Sequence, residues 1–335
     1  MPQPLTEQIR IDHESAVQHA GSVARSIASS LGWTDSLAER AAVIAGELAG
    51  NLTKHASGGV LYLQPLPPGD TMEIISVDRG PGMADLSLCM TDGYSTTGTL
   101  GGGLGAIRRI SDEFTVRTER GTGTVASARL SAPGSPVADP GLGAVCLPVE
   151  GERLGGDAWR IDETDGVRTL VLVDALGHGE TAAEVARAAV RVHRRDPARP
   201  LPEILIALNK GLRHTRGAAV AVLRTGRGLT EWCGVGNIRC RVVSPDGTIT
   251  TAASGPPGIV GWNMPRPMVR RVSPSPGSTV VLHTDGIDER WIRSPSPFLL
   301  RLPAPLLAAA LTHAHRIARD DSTVLTLGTR RTHDL

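Results

Sequence analysis

The sequence predicts a chain of two domains of the mixed α/β (α+β) class, and three observations carry that reading. The stretch Ala132-Pro133-Gly134-Ser135-Pro136-Val137-Ala138-Asp139-Pro140-Gly141 is rich in proline, glycine and small residues and reads as a linker. Before it, two long segments with helical spacing precede a set of short strand-like segments. After it, many strand-like segments are interrupted by a few helical ones, the pattern of a layered α/β sandwich. The boundaries are drawn at 1–132 for the first domain, 133–141 for the linker and 142–330 for the second domain. The two halves share no motif, and no internal repeat is visible.

In the first domain, helices are expected from about Glu14 to Leu31 and from about Asp35 to Ala56. In the second of these, Leu37, Ala41, Ile44, Leu48 and Leu52 recur every three to four residues and mark one apolar face. Strands are expected at Val60–Leu63, Met72–Val77, Glu113–Thr118 and Thr124–Leu130. A glycine-rich loop runs from Gly93 to Gly105; loops of that length in a compact domain are usually functional or disordered. In the second domain, strands are expected at Trp159–Ile161, Thr169–Val173, Ala218–Leu223, Leu229–Trp232, Ile238–Val243, Thr279–His283 and Thr323–Leu327. Helices are expected near Thr181–His193, Pro202–Arg213 and Pro303–Arg316.

Composition narrows the function classes. The 335 residues carry 35 basic and 34 acidic side chains, a net charge of +1, so no broad basic field draws in nucleic acid or anionic lipid. Aromatics make up 3% of the chain, too few for base-stacking platforms. The start lacks the basic and apolar regions of a signal peptide, and no apolar run reaches the length of a membrane span. A cytoplasmic protein is therefore expected. Cys89, Cys146, Cys233 and Cys240 form no C-x-x-C pair, which argues for reduced thiols over a zinc or redox motif.

Two sets of polar residues stand out. In the first half, Glu47, Asn51 and Lys54 or His55 fall on one face of a predicted helix, with Leu48 and Leu52 expected to point elsewhere. A carboxylate one turn from a carboxamide suits Mg²⁺ and phosphate, because Mg²⁺ takes hard oxygen ligands; a solvated helix face reads equally well. Asp78 ends the apolar run Ile74-Ile75-Ser76-Val77 and precedes Gly80 and Gly82. Its carboxylate can accept a hydrogen bond from an exocyclic amine such as that of adenine, with glycines letting a flat base approach; a β-turn uses the same residues. Gly101-Gly102-Gly103-Leu104-Gly105 then leads into a helix and offers backbone N–H groups to an anion. No strand precedes it directly, so a dinucleotide fingerprint does not apply, and no P-loop occurs anywhere.

In the second half, Asp157, Asp174, Asp285, Asp320 and Asp321 each sit at the edge of a predicted strand. Singly, each is a turn or cap residue. Together, carboxylates gathered from strand ends repel one another unless cations lie between them, and two divalent ions would both relieve the repulsion and activate water.

The order and spacing of the first set resemble the GHKL ATPase superfamily, most closely the RsbT-like switch-protein serine kinases and anti-sigma factors of bacterial partner-switching systems, over about Ser15 to Leu130. The resemblance implies a two-layer (Bergerat) α/β sandwich binding ATP with Mg²⁺. Asn51 would hold the Mg²⁺, Glu47 would act near the γ-phosphate, Asp78 would bind adenine, Lys54 would join the nucleotide site, and Gly80, Gly82 and Gly101 to Leu104 and Gly105 would shape pocket and lid. No phospho-accepting histidine box is present, which argues against a sensor histidine kinase.

The second set is similar to the metal-dependent protein phosphatases in their SpoIIE and RsbX branch, over about Gly143 to Leu327. That resemblance implies an α-β-β-α sandwich with two Mn²⁺ or Mg²⁺ ions. Asp157, Asp174 as the bridging ligand and catalytic centre, Asp285 and Asp320 would hold them, with the backbone carbonyl of Ala175, where the family usually has glycine. Thr215-Arg216-Gly217-Ala218-Ala219 and Gly234-Val235-Gly236-Asn237-Ile238 also fit this branch. His178 is a candidate proton donor or the residue of a tight turn. The resemblances together imply a bifunctional partner-switching regulator. Its phosphatase would act on phosphoserine or phosphothreonine of a STAS-type (anti-anti-sigma-like) partner, and its ATP-binding domain would phosphorylate or sequester such a partner. In an alternative reading, the first domain is an ATP-dependent binding module without kinase activity.

Overall fold

The computed structural model describes residues 5–56, 58–67, 71–91, 103–135, 138–226 and 228–329. The described residues divide into two compact units, one from Leu5 to Asp139 and one from Pro140 onward.

The first unit is a sheet covered by helices on one face. Its elements are β1 (Glu7–Ile11), α1 (Ser15–Ser30), α2 (Asp35–His55), β2 (Gly59–Leu66), β3 (Thr71–Val77), α3 (Leu86–Cys89), α4 (Gly103–Ile110), β4 (Glu113–Glu119) and β5 (Gly123–Ser131). The sheet runs β1-β2-β3-β5-β4, antiparallel at every junction. α2 buries Leu37, Ala41, Ile44, Ala45, Leu48 and Leu52, the face its spacing predicts, against Leu61, Leu63, Met72 and Ile74 of the sheet. α1 buries only small residues, Ala20, Gly21, Ala24 and Ala28, which lets it lie close to α2. β1 escaped the sequence reading: it is a five-residue edge strand whose Ile9 and Ile11 alternate with Gln8 and Arg10.

Two glycines fix the turn after β3. Gly82 has φ +68°, and a Cβ there would overlap the carbonyl oxygen of Glu119. Gly123 has φ +135°, and its Cβ would overlap the carbonyl oxygen of Asp78. The turn is thereby pressed onto the β4–β5 hairpin, with Gly121 N donating to Pro81 O at 2.9 Å. Gly82→Ala adds the left-handed penalty to a clash with backbone, so it is expected to destabilise the first unit by about 2 kcal/mol or more. Urea unfolding of the variant against the parent measures this.

The second unit stacks two five-stranded antiparallel sheets. Its elements are β6 (Leu142–Leu147), β7 (Asp157–Thr164), β8 (Val167–Ala175), α5 (Gly179–His193), α6 (Leu201–Gly211), β9 (Ala218–Gly226), β10 (Leu229–Val235), β11 (Arg239–Val243), β12 (Ile249–Ser254), β13 (Arg270–Val272), β14 (Thr279–His283), α7 (Arg290–Arg293), α8 (Pro297–Leu300), α9 (Ala304–His315) and β15 (Ser322–Gly328). One sheet runs β13-β10-β9-β8-β7 and the other β12-β11-β14-β15-β6. α5 and α6 cover the first sheet and α9 the second, giving the α-β-β-α order. α9 is buried along nearly its whole length, which fits a sequence run of alanine and leucine. Among the described residues, no helix is long and apolar enough to cross a membrane.

Candidate functional site

The first unit holds a cavity of about 490 Å³ between α2, the turn after β3 and the start of α4. Glu47, Asn51, Lys54 and His55 line it from α2, and Asp78 lines it from the end of β3. Leu48 and Leu52, which the helical spacing turned away, also line it and supply a buried apolar floor. Gly82, Gly103 and Leu104 line the cavity, whereas Gly80 and Gly105 do not. Gly101 and Gly102 lie outside the described residues. Gly80 is there for space: a Cβ would come within 2.8 Å of His55 O and 3.0 Å of Asp78 Oδ1.

Asp78 is held by the backbone around it. Its Oδ1 accepts from Gly80 N at 2.7 Å and Thr124 N at 3.2 Å. Oδ2 accepts no hydrogen bond among the described residues, so one carboxylate oxygen remains for an amine donor. Burial raises the Asp78 pKa, and the two backbone donors and His55 oppose that rise. Met83, Leu88 and Thr124 also line the cavity, and no sequence pattern had marked them.

The second unit gathers its aspartates at one end of both sheets. Asp157 opens β7 and Asp174 lies next to the end of β8, and the two are direct partners across the antiparallel ladder. Asp285 follows β14, and Asp320 and Asp321 immediately precede β15. Asp157 is 1% exposed, with Thr284 Oγ1 donating to its Oδ2 at 2.8 Å. Burial first, then the charges of Asp321 and Asp285, push its pKa up to about 8. Asp174 moves in the same direction, through burial and then Asp157, Asp285, Asp320 and Asp321. Asp174 accepts no hydrogen bond among the described residues. Asp285 Oδ2 accepts from Asn237 Nδ2 at 2.7 Å, which gives Asn237 a place in the site.

Asp321 differs from its neighbour. Its Oδ1 accepts from Val149 N at 2.8 Å and its Oδ2 from Gly156 N at 2.6 Å. Both oxygens brace the loop that leads into Asp157, whereas Asp320 Oδ1 accepts from Asp321 N at 3.0 Å, and burial and then the charge of Asp285 raise the Asp320 pKa. Ala175 donates its N–H to Gly156 O at 3.0 Å. Among the described residues, only Asp165 and His214 are non-glycine residues with positive φ, so Ala175 tolerates its Cβ without strain. His178 precedes α5, and its Nδ1 lies 2.5 Å from Glu152 Oε1, a partner no sequence signal had named.

Among the described residues, no three Asp, Glu, His or Cys side chains converge as a preformed metal cage. The chemistry of the donor set nonetheless fits hard divalent cations. The candidate ligands are all oxygens, burial and then the neighbouring carboxylates raise the Asp174 pKa, and the Asp174 carboxylate has no hydrogen-bond donor among the described residues.

Comparison with known proteins follows the same division of the chain. The family described as Histidine kinase-like ATPase domain matches residues 10–130, and that described as Stage II sporulation protein E (SpoIIE) matches residues 164–330. The serine/threonine-protein kinase RsbT of Bacillus subtilis (strain 168) is 33% identical over 118 residues, which cover 35% of this chain and 89% of RsbT. A chain from a structure of "The bacterial stressosome: a modular system that has been adapted to control secondary messenger signaling" is 32% identical with a TM-score of 0.50; the match covers 55% of this chain and 97% of that one. RsbX solved in complex with magnesium is 22% identical with a TM-score of 0.48, over 56% of this chain and 94% of that one.

Proposed function

We propose a bifunctional role for a chain that belongs, through its first half, to the RsbT-type members of the histidine kinase-like ATPases and, through its second half, to the SpoIIE phosphatases. A serine/threonine phosphatase domain and a homologue of a serine/threonine kinase in one polypeptide are the parts of a partner-switching regulator. The second domain removes phosphate from serine or threonine of a STAS-type regulatory protein. The first binds ATP with Mg²⁺ and phosphorylates a partner of that type.

In the first domain, Asn51 would hold Mg²⁺, with Glu47 beside the γ-phosphate and Lys54 near the phosphates. Asp78 would accept the adenine amine through Oδ2. Gly80 and Gly82 keep the turn close, and Gly103, Leu104 and Gly105 would shape the phosphate end. In the second domain, Asp157, Asp174, Asp285, Asp320 and the Ala175 carbonyl would hold two Mn²⁺ or Mg²⁺ ions. When bound, these ions supply charge neutralisation and an acidified water. The protein's own part is to fix the donors: Asp321 pins the loop before Asp157, Thr284 orients Asp157, and Asn237 orients Asp285.

The observation that carries the phosphatase reading is Asp174, a carboxylate placed among four others and given no hydrogen-bond donor among the described residues. The test is hydrolysis of p-nitrophenyl phosphate and of a phosphoserine STAS protein by the full chain. Mn²⁺ or Mg²⁺ should be required and chelator should abolish it. Hydrolysis that persists in chelator contradicts the metal assignment. ATP binding without transfer to any STAS protein reduces the first domain to a binding module.

A further inference from the structure

His283 ends β14, directly precedes Thr284 and Asp285, and is fully buried. Its ring meets the indole of Trp291, itself buried, edge-on, with centroids 5.9 Å apart and planes at 72°. Nδ1 donates to Thr284 O at 2.9 Å, since a carbonyl oxygen can only accept, and the hydrogen of the neutral ring therefore belongs on Nδ1. Nε2 has no hydrogen-bond partner among the described residues. A buried ring nitrogen without a partner costs free energy that a phenylalanine in the same place would not. What histidine adds at this position is the bond from Nδ1.

The acceptor of that bond belongs to the residue that links two candidate metal ligands. Thr284 Oγ1 donates to Asp157 Oδ2 at 2.8 Å and accepts from Thr323 N at 3.0 Å, and Thr284 N donates to Thr323 O at 3.1 Å. Thr284 O also accepts from Ile287 N at 3.3 Å, which closes a turn over Asp285 and Gly286. A peptide unit is planar, so the Thr284 carbonyl and the Asp285 N–H can only turn together. Holding that carbonyl fixes the direction in which Asp285 leaves Thr284, whose hydroxyl is already bonded to Asp157. The far side of the turn is tied down separately: Gly286 O accepts from Ile317 N at 2.8 Å and from Ser322 Oγ at 3.0 Å. Loss of the Nδ1 bond accordingly frees one peptide plane and leaves the turn attached.

We propose that His283 is a positioning residue of the metal site: its Nδ1–H fixes the peptide plane between Thr284 and Asp285 and so sets the Asp285 carboxylate relative to that of Asp157 for a divalent cation. This role deepens the metal-site reading and rests on it. His283 touches neither ion nor substrate and exchanges no proton. It acts through the Thr284 backbone, as a side chain behind a ligand orients that ligand.

The test compares the full chain with His283→Phe and His283→Asn. Phenylalanine fills the ring's place without a donor. Asparagine sets its Nδ2 where Nδ1 stood and leaves part of the ring's volume empty. Mn²⁺ affinity by calorimetry and metal-free melting temperature should therefore rank the two variants in opposite orders. His283→Phe should bind Mn²⁺ about ten- to a hundredfold more weakly than the parent, yet melt above His283→Asn, which recovers most of the affinity. Affinity that follows stability marks a merely structural role and overturns the proposal, and so does equal affinity in all folded proteins. Imidazole nitrogen chemical shifts of the metal-free parent test the bond without any variant: Nδ1 should carry the hydrogen, and a bare Nδ1 overturns the role even where a variant fails to fold. A parent that binds no Mn²⁺ refutes the metal-site reading itself, whereas a parent that binds Mn²⁺ as tightly as His283→Phe overturns the role of His283 alone.

Discussion

Asp174→Asn is expected to abolish phosphatase activity and, in the same protein, to raise the stability of the metal-free second unit. The two effects share one cause. Asp174 lies across the ladder from Asp157 and has no hydrogen-bond donor among the described residues, so without cations its ionised form is opposed by burial and then by the neighbouring carboxyl groups. Asparagine keeps the shape and removes the repulsion. Metal-free melting should rise by about 2–4 °C, which is about 1 kcal/mol for a domain of this size. With Mn²⁺, the variant lacks one of the carboxylates that would hold the ions, and kcat should fall by about a thousandfold, the several kcal/mol of transition-state stabilisation a held metal would supply.

The same charges give the metal-free protein an inverted pH profile. Asp157 has a folded pKa of about 8, above an unfolded value of about 3.9. Between those values the folded protein holds a proton that the unfolded chain has released. Its contribution to stability therefore falls as pH rises through that window, by about 1.4 kcal/mol per pH unit. Chelator-treated protein should melt higher at pH 5.5 than at pH 7.5, and Asp157→Asn should flatten the difference. A steeper or unchanged slope in the variant contradicts the assignment of that proton to Asp157.

Asp78→Asn is expected to remove ATP binding while leaving the first unit folded. The carboxamide oxygen can still accept from Gly80 N and Thr124 N, so the turn survives. The atom that replaces Oδ2 becomes an NH₂ donor facing the donor amine of adenine. Losing a charge-assisted bond and confronting two donors should weaken ATP about a hundredfold or more. Calorimetry with ATP and with ADP measures this, and equal affinities for parent and variant would sink the nucleotide assignment.

Much of this was legible in the residues. The α2 stripe of Leu37, Ala41, Ile44, Leu48 and Leu52 has one period and one buried face, so the helix is where spacing puts it. The aspartates were visible because each lies at one end of an apolar strand, and strand ends are where a sheet delivers side chains to a shared edge. The pairs that decide roles were not visible. Asp320 and Asp321 are adjacent in sequence and alike in type, yet only the fold shows that Asp321 gives both oxygens to backbone N–H groups. Glu152 reaches His178 across 26 residues of chain through a loop with no pattern of its own. Leu48 and Leu52 serve core and cavity at once, which a single helical face cannot express. Short edge strands such as β1 and β13 carry too few apolar residues for periodicity to mark them.

If one chain both adds and removes phosphate on a regulatory partner, a single-substrate assay shows it directly. A STAS-domain protein is incubated with full-length chain and labelled ATP, using Asp285→Asn to silence the second site and Glu47→Ala to silence the first. Asp285→Asn should accumulate label on one serine or threonine, Glu47→Ala should add none, and Glu47→Ala with Mn²⁺ should strip label from the isolated phosphoprotein. Label that never appears with Asp285→Asn, or that Glu47→Ala cannot remove, contradicts that dual role.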